Sequence, residues 1–157
     1  MATHKPIVQI AGILRALPPG DVLDLPQVPG ASFEATNAHP NLQRICTPVA
    51  IGAQGFQPAR ANALDLAEAK GLIQVDQSAP NAAGAIQSHG VFEAAAAQWQ
   101  QATGEQNGLT AGANYYLSST LPGRLTTTIP TTGFIVYVGK ALSTTRLLLD
   151  IRPPIGL

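Results

Sequence analysis

The sequence predicts an all-β fold, a compact β-barrel or sandwich of about eight to ten short strands with one or two short helices and extended termini. Three observations carry this reading. Thirteen Pro and fifteen Gly in 157 residues favour short elements separated by turns. Apolar or alternating runs recur between turn signals spaced roughly every 8–12 residues, the spacing of a sandwich or barrel. The stretch with the best helix composition, AAAQWQQA at 95–102, is too short to persist as a helix without packing.

The elements follow in order. KPIVQIAGIL, residues 5–14, is β-branched and partly alternating, and reads as a first strand. LPPGD at 17–21 breaks it, with Pro19-Gly20 as the turn signal. VLDLPQV, 22–28, is an edge strand or an extended arm, because Pro26 and Pro29 cannot donate to a ladder. A composition shift near Gly30 separates an N-terminal strand or arm, residues 1–30, from a compact β domain, residues 31–157, with an extended C-terminal tail.

Residues 30–44 are mixed and loop-like. ICTPVAIG, 45–52, reads as a buried strand interrupted by Pro48, and GAQGF as a glycine turn. Residues 58–71 offer one or two helical turns, GLIQV at 71–75 a short strand, and 76–85 a loop. IQSHGVFEA, 86–94, alternates as a strand does, and AAAQWQQA is a helix anchored through Trp99 and ended by the glycines of ATGEQNG. ANYYLSS, 113–119, is a strand. Leu121-Pro122-Gly123-Arg124 fits a type II turn, with RLTTTI, 124–129, as the return strand. GFIVYVG, 133–139, and TRLLLDI, 145–151, have the apolar runs of strands covered on both faces, and RPPIGL is a tail.

Only 11% of residues are charged, against roughly a quarter in an ordinary domain, and the net charge is +0. Nucleic acid and anionic membranes are therefore not expected partners. Little repulsion separates copies, so self-association or docking on a larger assembly is expected. Cys46 is single, so neither an internal disulfide nor a cysteine metal cluster forms. No apolar run reaches the roughly 20 residues of a span, and MATHKPIVQIAGIL lacks the features of a secretory signal. A soluble chain made in the cytoplasm is expected.

Groups that do chemistry are sparse. His4, His39 and His89 share no ligand spacing, which points to a terminus, a loop and a turn. Cys46, between Ile45 and Thr47 in an apolar strand, has no neighbouring base and reads as a core residue. The nine carboxylates are scattered, though an acid pair of the kind a hydrolase uses assembles in space and not in sequence. There is no glycine-rich phosphate loop, and Arg146 and Arg152 are the one close basic pair near a strand. Tyr115, Tyr116 and Tyr137 have the rings to stack on a sugar or base, but paired strand tyrosines more often place one ring in the core and one at an interface. No catalytic residue, metal or cofactor is expected, which shifts weight from an enzyme to a binding or structural role.

Several stretches resemble a known module. They are W-x-x-A-T-G at Trp99–Gly104, GLTAGANYYLS at Gly108–Ser118, PG-x-LTTT-x-P at Pro122–Pro130, and V-x-V-G-K-ALS-x-T-x-LLL-x-I at Val136–Ile151. Upstream, IAGILRALPPGDVLDLP at Ile10–Pro26 and residues 46–73 fit its opening and middle. Together they resemble a module of tailed-bacteriophage virion proteins, found in small head-decoration (capsid cement) proteins and in head- or tail-fibre chains. The resemblance implies an all-β homotrimer without catalysis or cofactor. With no repetitive shaft and no large receptor-binding tip, it favours a cement protein on the outer surface of the head, bound to the major capsid protein. The alternative is a fibre module for host-surface attachment, and a third class is a small hydrolase of cell-surface polymer.

The interface candidates are Ile7, Val8, Ile10, Leu23 and Leu25 in the arm, Tyr115, Tyr116, Thr126, Thr127 and Thr128 in the hairpin, and Arg152 and Ile155 in the tail. The threonines suit burial against a neighbour at low desolvation cost, and equally suit a solvated strand face. The two ends read as reaching arms or as ordinary frayed termini.

Overall fold

In strands β4 (Pro48–Gly52) and β6 (Ala69–Ile73), neighbouring residues feed two different cores. Val49 and Ile73 join Phe56 and Ile86 in one cluster, while Ala50 and Leu72 join Trp99, Tyr115, Leu117, Val138 and Leu147 in the other. Period-two alternation makes this split, since successive side chains leave opposite faces of a strand. The middle of the sheet is buried on both faces as a result. The computed structural model describes residues 31–75 and 79–157, together with the strand pairing of 7–10 and 13–16.

The first five-stranded sheet has the order β3 (Ser32–Thr36), β7 (Ala83–Gln87), β6, β4, β5 (Gly55–Pro58). Its edges curl toward each other and meet at one bridge, Asn37 to Phe56, around the smaller cluster. The second sheet has the order β10 (Leu125–Thr126), β9 (Asn114–Leu117), β12 (Tyr137–Ala141), β13 (Arg146–Asp150), β8 (His89–Glu93). The larger cluster lies between the sheets, giving an open, sandwich-like all-β fold that does not close into a barrel. Two-stranded pairs complete it: β1 (Ile7–Ile10) with β2 (Ile13–Ala16), and β11 (Phe134–Ile135) with β14 (Ile155–Gly156).

Helix is confined to α1 (Leu64–Ala67), a single turn, and α2 (Ala96–Thr103). The Gln98 side chain accepts the Ala95 N–H at 2.8 Å at the start of α2, and Gly104 closes it. Trp99 is fully buried, donates its indole N–H to the Thr145 carbonyl at 2.9 Å, and meets Phe92 edge-on at 5.5 Å. The helix therefore survives through its tryptophan, as its length requires.

Several expectations need correction. KPIVQIAGIL is two strands, because Ile7–Ile10 pairs antiparallel with Ile13–Ala16. The supposed loop at 30–44 contains β3, an exposed edge strand that lacks the alternating signal of a half-buried one. Cys46 is fully buried as expected, but sits in a turn at φ 66, where its N–H reaches the Ile73 carbonyl at 3.0 Å. Pro48 does not interrupt a strand; it is the first residue of β4, a position proline tolerates.

IQSHGVFEA divides at Ser88, whose N–H and hydroxyl both bind the Ala31 carbonyl at 2.9 Å, so β7 and β8 belong to different sheets. RLTTTI pairs only at Leu125 and Thr126, because the Thr126 hydroxyl accepts the Thr128 N–H at 3.1 Å and bends the chain off the ladder. GFIVYVG divides at Val136 between β11 and β12. The RPPIGL tail is not a free arm: Ile155 pairs with Ile135, and the Leu157 N–H donates to the Gly133 carbonyl at 3.0 Å. The turn at 17–21, the arm at 22–28 and His4 lie outside the described residues.

Candidate docking surface

The open face of the second sheet is built by a bulge. Tyr137 pairs with Tyr116 and Gly139 pairs with Tyr115, so Val138 is an extra residue in β12. Val138 and Gly139 both turn inward, and Tyr137 and Lys140 both stay outside. Gly139 is needed there, because a Cβ would lie 2.3 Å from the Leu148 carbonyl oxygen on β13.

The bulge places Tyr137 against Tyr116, with ring centroids 5.9 Å apart and planes at 71°. Both rings are half-buried, and Thr126 pairs beside Tyr116. Next to them runs a groove of about 250 Å³ lined by Ser118, Ser119, Thr120, Thr126, Thr128 and Thr131, with Ile129 half exposed at its rim. Its floor is preorganised: the Ser118 hydroxyl accepts the Thr120 and Leu121 N–H groups at 3.2 and 3.0 Å. The groove lining carries hydroxyls and no charge, so a partner can dry it at low cost.

Two opposite-charge pairs lie on the face beyond the tyrosines, and Lys140 stands there without an acidic partner among the described residues. Arg152 bonds Asp150 at 2.5 Å and gives its backbone N–H to the Tyr137 carbonyl. Arg146 faces Glu93 at 3.9 Å, too far for a hydrogen bond. Burial, and then the Asp150 carboxylate, hold the Tyr137 phenol above its ordinary pKa. Leu148 stands exposed on β13, between Lys140 and Val91.

The sequence candidates separate accordingly. Tyr116, Thr126 and Thr128 come together in and beside the groove, and Thr127 is exposed next to them. Tyr137 is the ring that pairs with Tyr116, a role the neighbouring Tyr115 does not fill. Tyr115 is fully buried and offers no surface to a partner. Arg152 is exposed on the adjoining face, and Ile155 is 62% exposed on β14. Ile7, Val8 and Ile10 are in β1; Leu23 and Leu25 lie outside the described residues.

His39 accepts the Asn41 N–H at 3.2 Å and contacts the Gln43 amide at 2.8 Å, while His89 opens β8. Among the described residues, no group of three His, Cys, Asp or Glu could hold a metal, and no helix is long and apolar enough to cross a membrane. Asp65 and Glu68 line one shallow recess, but both are solvent-exposed residues at α1, and Glu68 is taken by Lys70 at 3.2 Å. Compared with protein-family models and with curated proteins, the chain finds no match in either.

Proposed function

We propose that this chain is a bacteriophage capsid decoration protein, a non-enzymatic homotrimer that binds the outside of the assembled head and clamps neighbouring capsomers. The observation that carries the reading is the docking surface: an uncharged, hydroxyl-lined groove joined to the Tyr116–Tyr137 pair on a rigid sheet. Tyrosine is favoured at protein interfaces because its ring buries area while its hydroxyl still finds a partner. The resemblance of Gly108–Ser118 and Val136–Ile151 to the virion module supports the same reading. Clamping is mass action, since a ligand that binds only the assembled shell stabilises it.

The test adds purified protein to expanded heads that lack it. Binding with a raised disruption temperature is expected, and both effects weaken with Tyr116→Ala plus Tyr137→Ala. Heads that neither bind the protein nor gain heat resistance would overturn the proposal. Mass measurement in solution tests the trimer.

A second reading, host attachment by a fibre module, is favoured by the same half-buried tyrosines beside a row of hydroxyls, a combination that suits a glycan. It predicts that the isolated protein adsorbs to host cells and loses adsorption with Tyr116→Ala, while binding to heads stays absent.

A further inference from the structure

We propose that the cleft between Arg44 and Arg124 is an oxyanion-binding site, taking a phosphate or carboxylate group borne by a small polar ligand. The cleft has a volume of about 180 Å³ and lies outside the hydroxyl groove. Three separate pieces of chain build it: Leu42–Thr47, Gln101 of α2, and the Pro122-Gly123-Arg124 turn. None of its lining residues is acidic.

Two cations without an ion-pair partner share this cleft. Among the described residues, Lys70, Arg146 and Arg152 each have a carboxylate within 4 Å, whereas Arg44, Arg60, Arg124 and Lys140 have none, and of these four Arg44 and Arg124 line the same cleft. Two arginines therefore line one concavity whose lining holds no counter-charge. Like charges repel, and an anion seated between them replaces the repulsion with charge-assisted hydrogen bonds. A guanidinium carries five N–H donors in a planar fork that matches phosphate and carboxylate oxygens.

The Arg44 side chain and the backbone of both flanks are also held in place. Arg44 Nη1 donates to Gln101 Oε1 at 3.2 Å, which spends one N–H and leaves four. The Arg44 carbonyl accepts the Thr47 N–H at 3.2 Å, and Cys46, fully buried, anchors that turn to Ile73. On the other side, Gly123 donates to the Ala59 carbonyl at 2.8 Å and the Arg124 carbonyl accepts the Ser118 N–H at 2.9 Å. Gly123 has φ +65, and a Cβ there would lie 2.8 Å from Thr47 Cγ2. The turn is thus pressed onto Thr47, which sets Arg124 beside the strip carrying Arg44. Thr47 adds a hydroxyl to the lining, and an oxyanion here meets donors from both flanks.

Isothermal titration of the full chain in low salt, with inorganic phosphate, glucuronate and glucose, tests the site. Saturable binding of one or both anions is expected, with no response to glucose. Phosphate alone marks the ligand as phosphoryl-bearing, and glucuronate alone marks it as a carboxylate. Arg44→Gln and Arg124→Gln should each weaken binding by about tenfold or more, the value of one charged hydrogen bond. Both side chains border solvent, and unchanged Trp99 fluorescence would confirm that the variants fold. Amide shifts on titration should centre on residues 44–47 and 123–124. No saturable binding of either anion, or binding unchanged in the double variant, would overturn the site. Neither result bears on attachment to heads, which is read separately.

Discussion

The Tyr115 hydroxyl donates to Glu105, whose two carboxylate oxygens both lie 2.9 Å away, and it accepts the Thr110 N–H at 2.8 Å. Thr110 closes the ring by giving its own hydroxyl to Glu105 at 2.8 Å. One buried phenol therefore ties strand β9 to the loop that follows α2. Tyr115→Phe should cost about 1–2 kcal/mol, since both partners can turn to water at the loop surface. Urea unfolding of the two proteins measures it; an unchanged midpoint would remove the phenol from the account.

Alkaline pH should destabilise the fold through the same ring. Burial, the largest cause, raises the Tyr115 pKa above 10.0, and burial followed by Asp150 raises that of Tyr137. A raised phenol pKa means the fold prefers the neutral form. The contribution is fully present below the unfolded value near pH 10 and is lost as pH rises through the folded value. Melting curves across the alkaline range should fall above pH 10, and Tyr115→Phe with Tyr137→Phe should flatten that fall.

Trp99 is the one tryptophan, and it is fully buried in the inter-sheet core. Its fluorescence should follow unfolding of the whole sandwich. Trp99→Ala should cost about 3–5 kcal/mol from lost burial and cavity formation. Trp99→Phe, which keeps a ring against Phe92 and leaves the Thr145 carbonyl the Ala94 N–H as donor, should cost less. Circular dichroism melts of the two variants rank them.

Much of the fold was legible in the sequence because its signals are local. The Pro-Gly turn at 122–123, the short helix around Trp99 and the TRLLLDI strand depend on neighbours within a few residues, although that strand is covered on one face and not on two as expected, with Leu148 exposed. Breaks inside apolar runs were not legible. Val136 divides GFIVYVG only because Phe134 and Tyr137 bond to different parts of the fold, Ala61 and β9 respectively, and no residue type announces this. The same holds for the surface. Tyr115 and Tyr116 look equivalent in NYYL, and only the strand's alternation against a core puts one inside and one out. Arg44 and Arg124 are far apart in the chain and become neighbours through the packing of a turn on Thr47.

Two glycine substitutions should separate crowding from backbone strain. Gly139→Ala forces a methyl to 2.3 Å from the Leu148 carbonyl oxygen, so β12 and β13 must move apart and the cost should exceed about 2 kcal/mol. Gly112→Ala meets nothing within 4 Å and carries only its φ of +80, a penalty of about 1–2 kcal/mol. Thermal melts giving the reverse order would contradict the bulge geometry.

The adjacent pairs Val49–Ala50 and Leu72–Ile73 each place one side chain in either core cluster. Neither cluster can melt while those two strands stay paired, and neither can persist once they separate. Heating should therefore give a single calorimetric transition whose van't Hoff and calorimetric enthalpies agree. A particle coated with such subunits would lose its coat at one sharp temperature and would not shed it by stages.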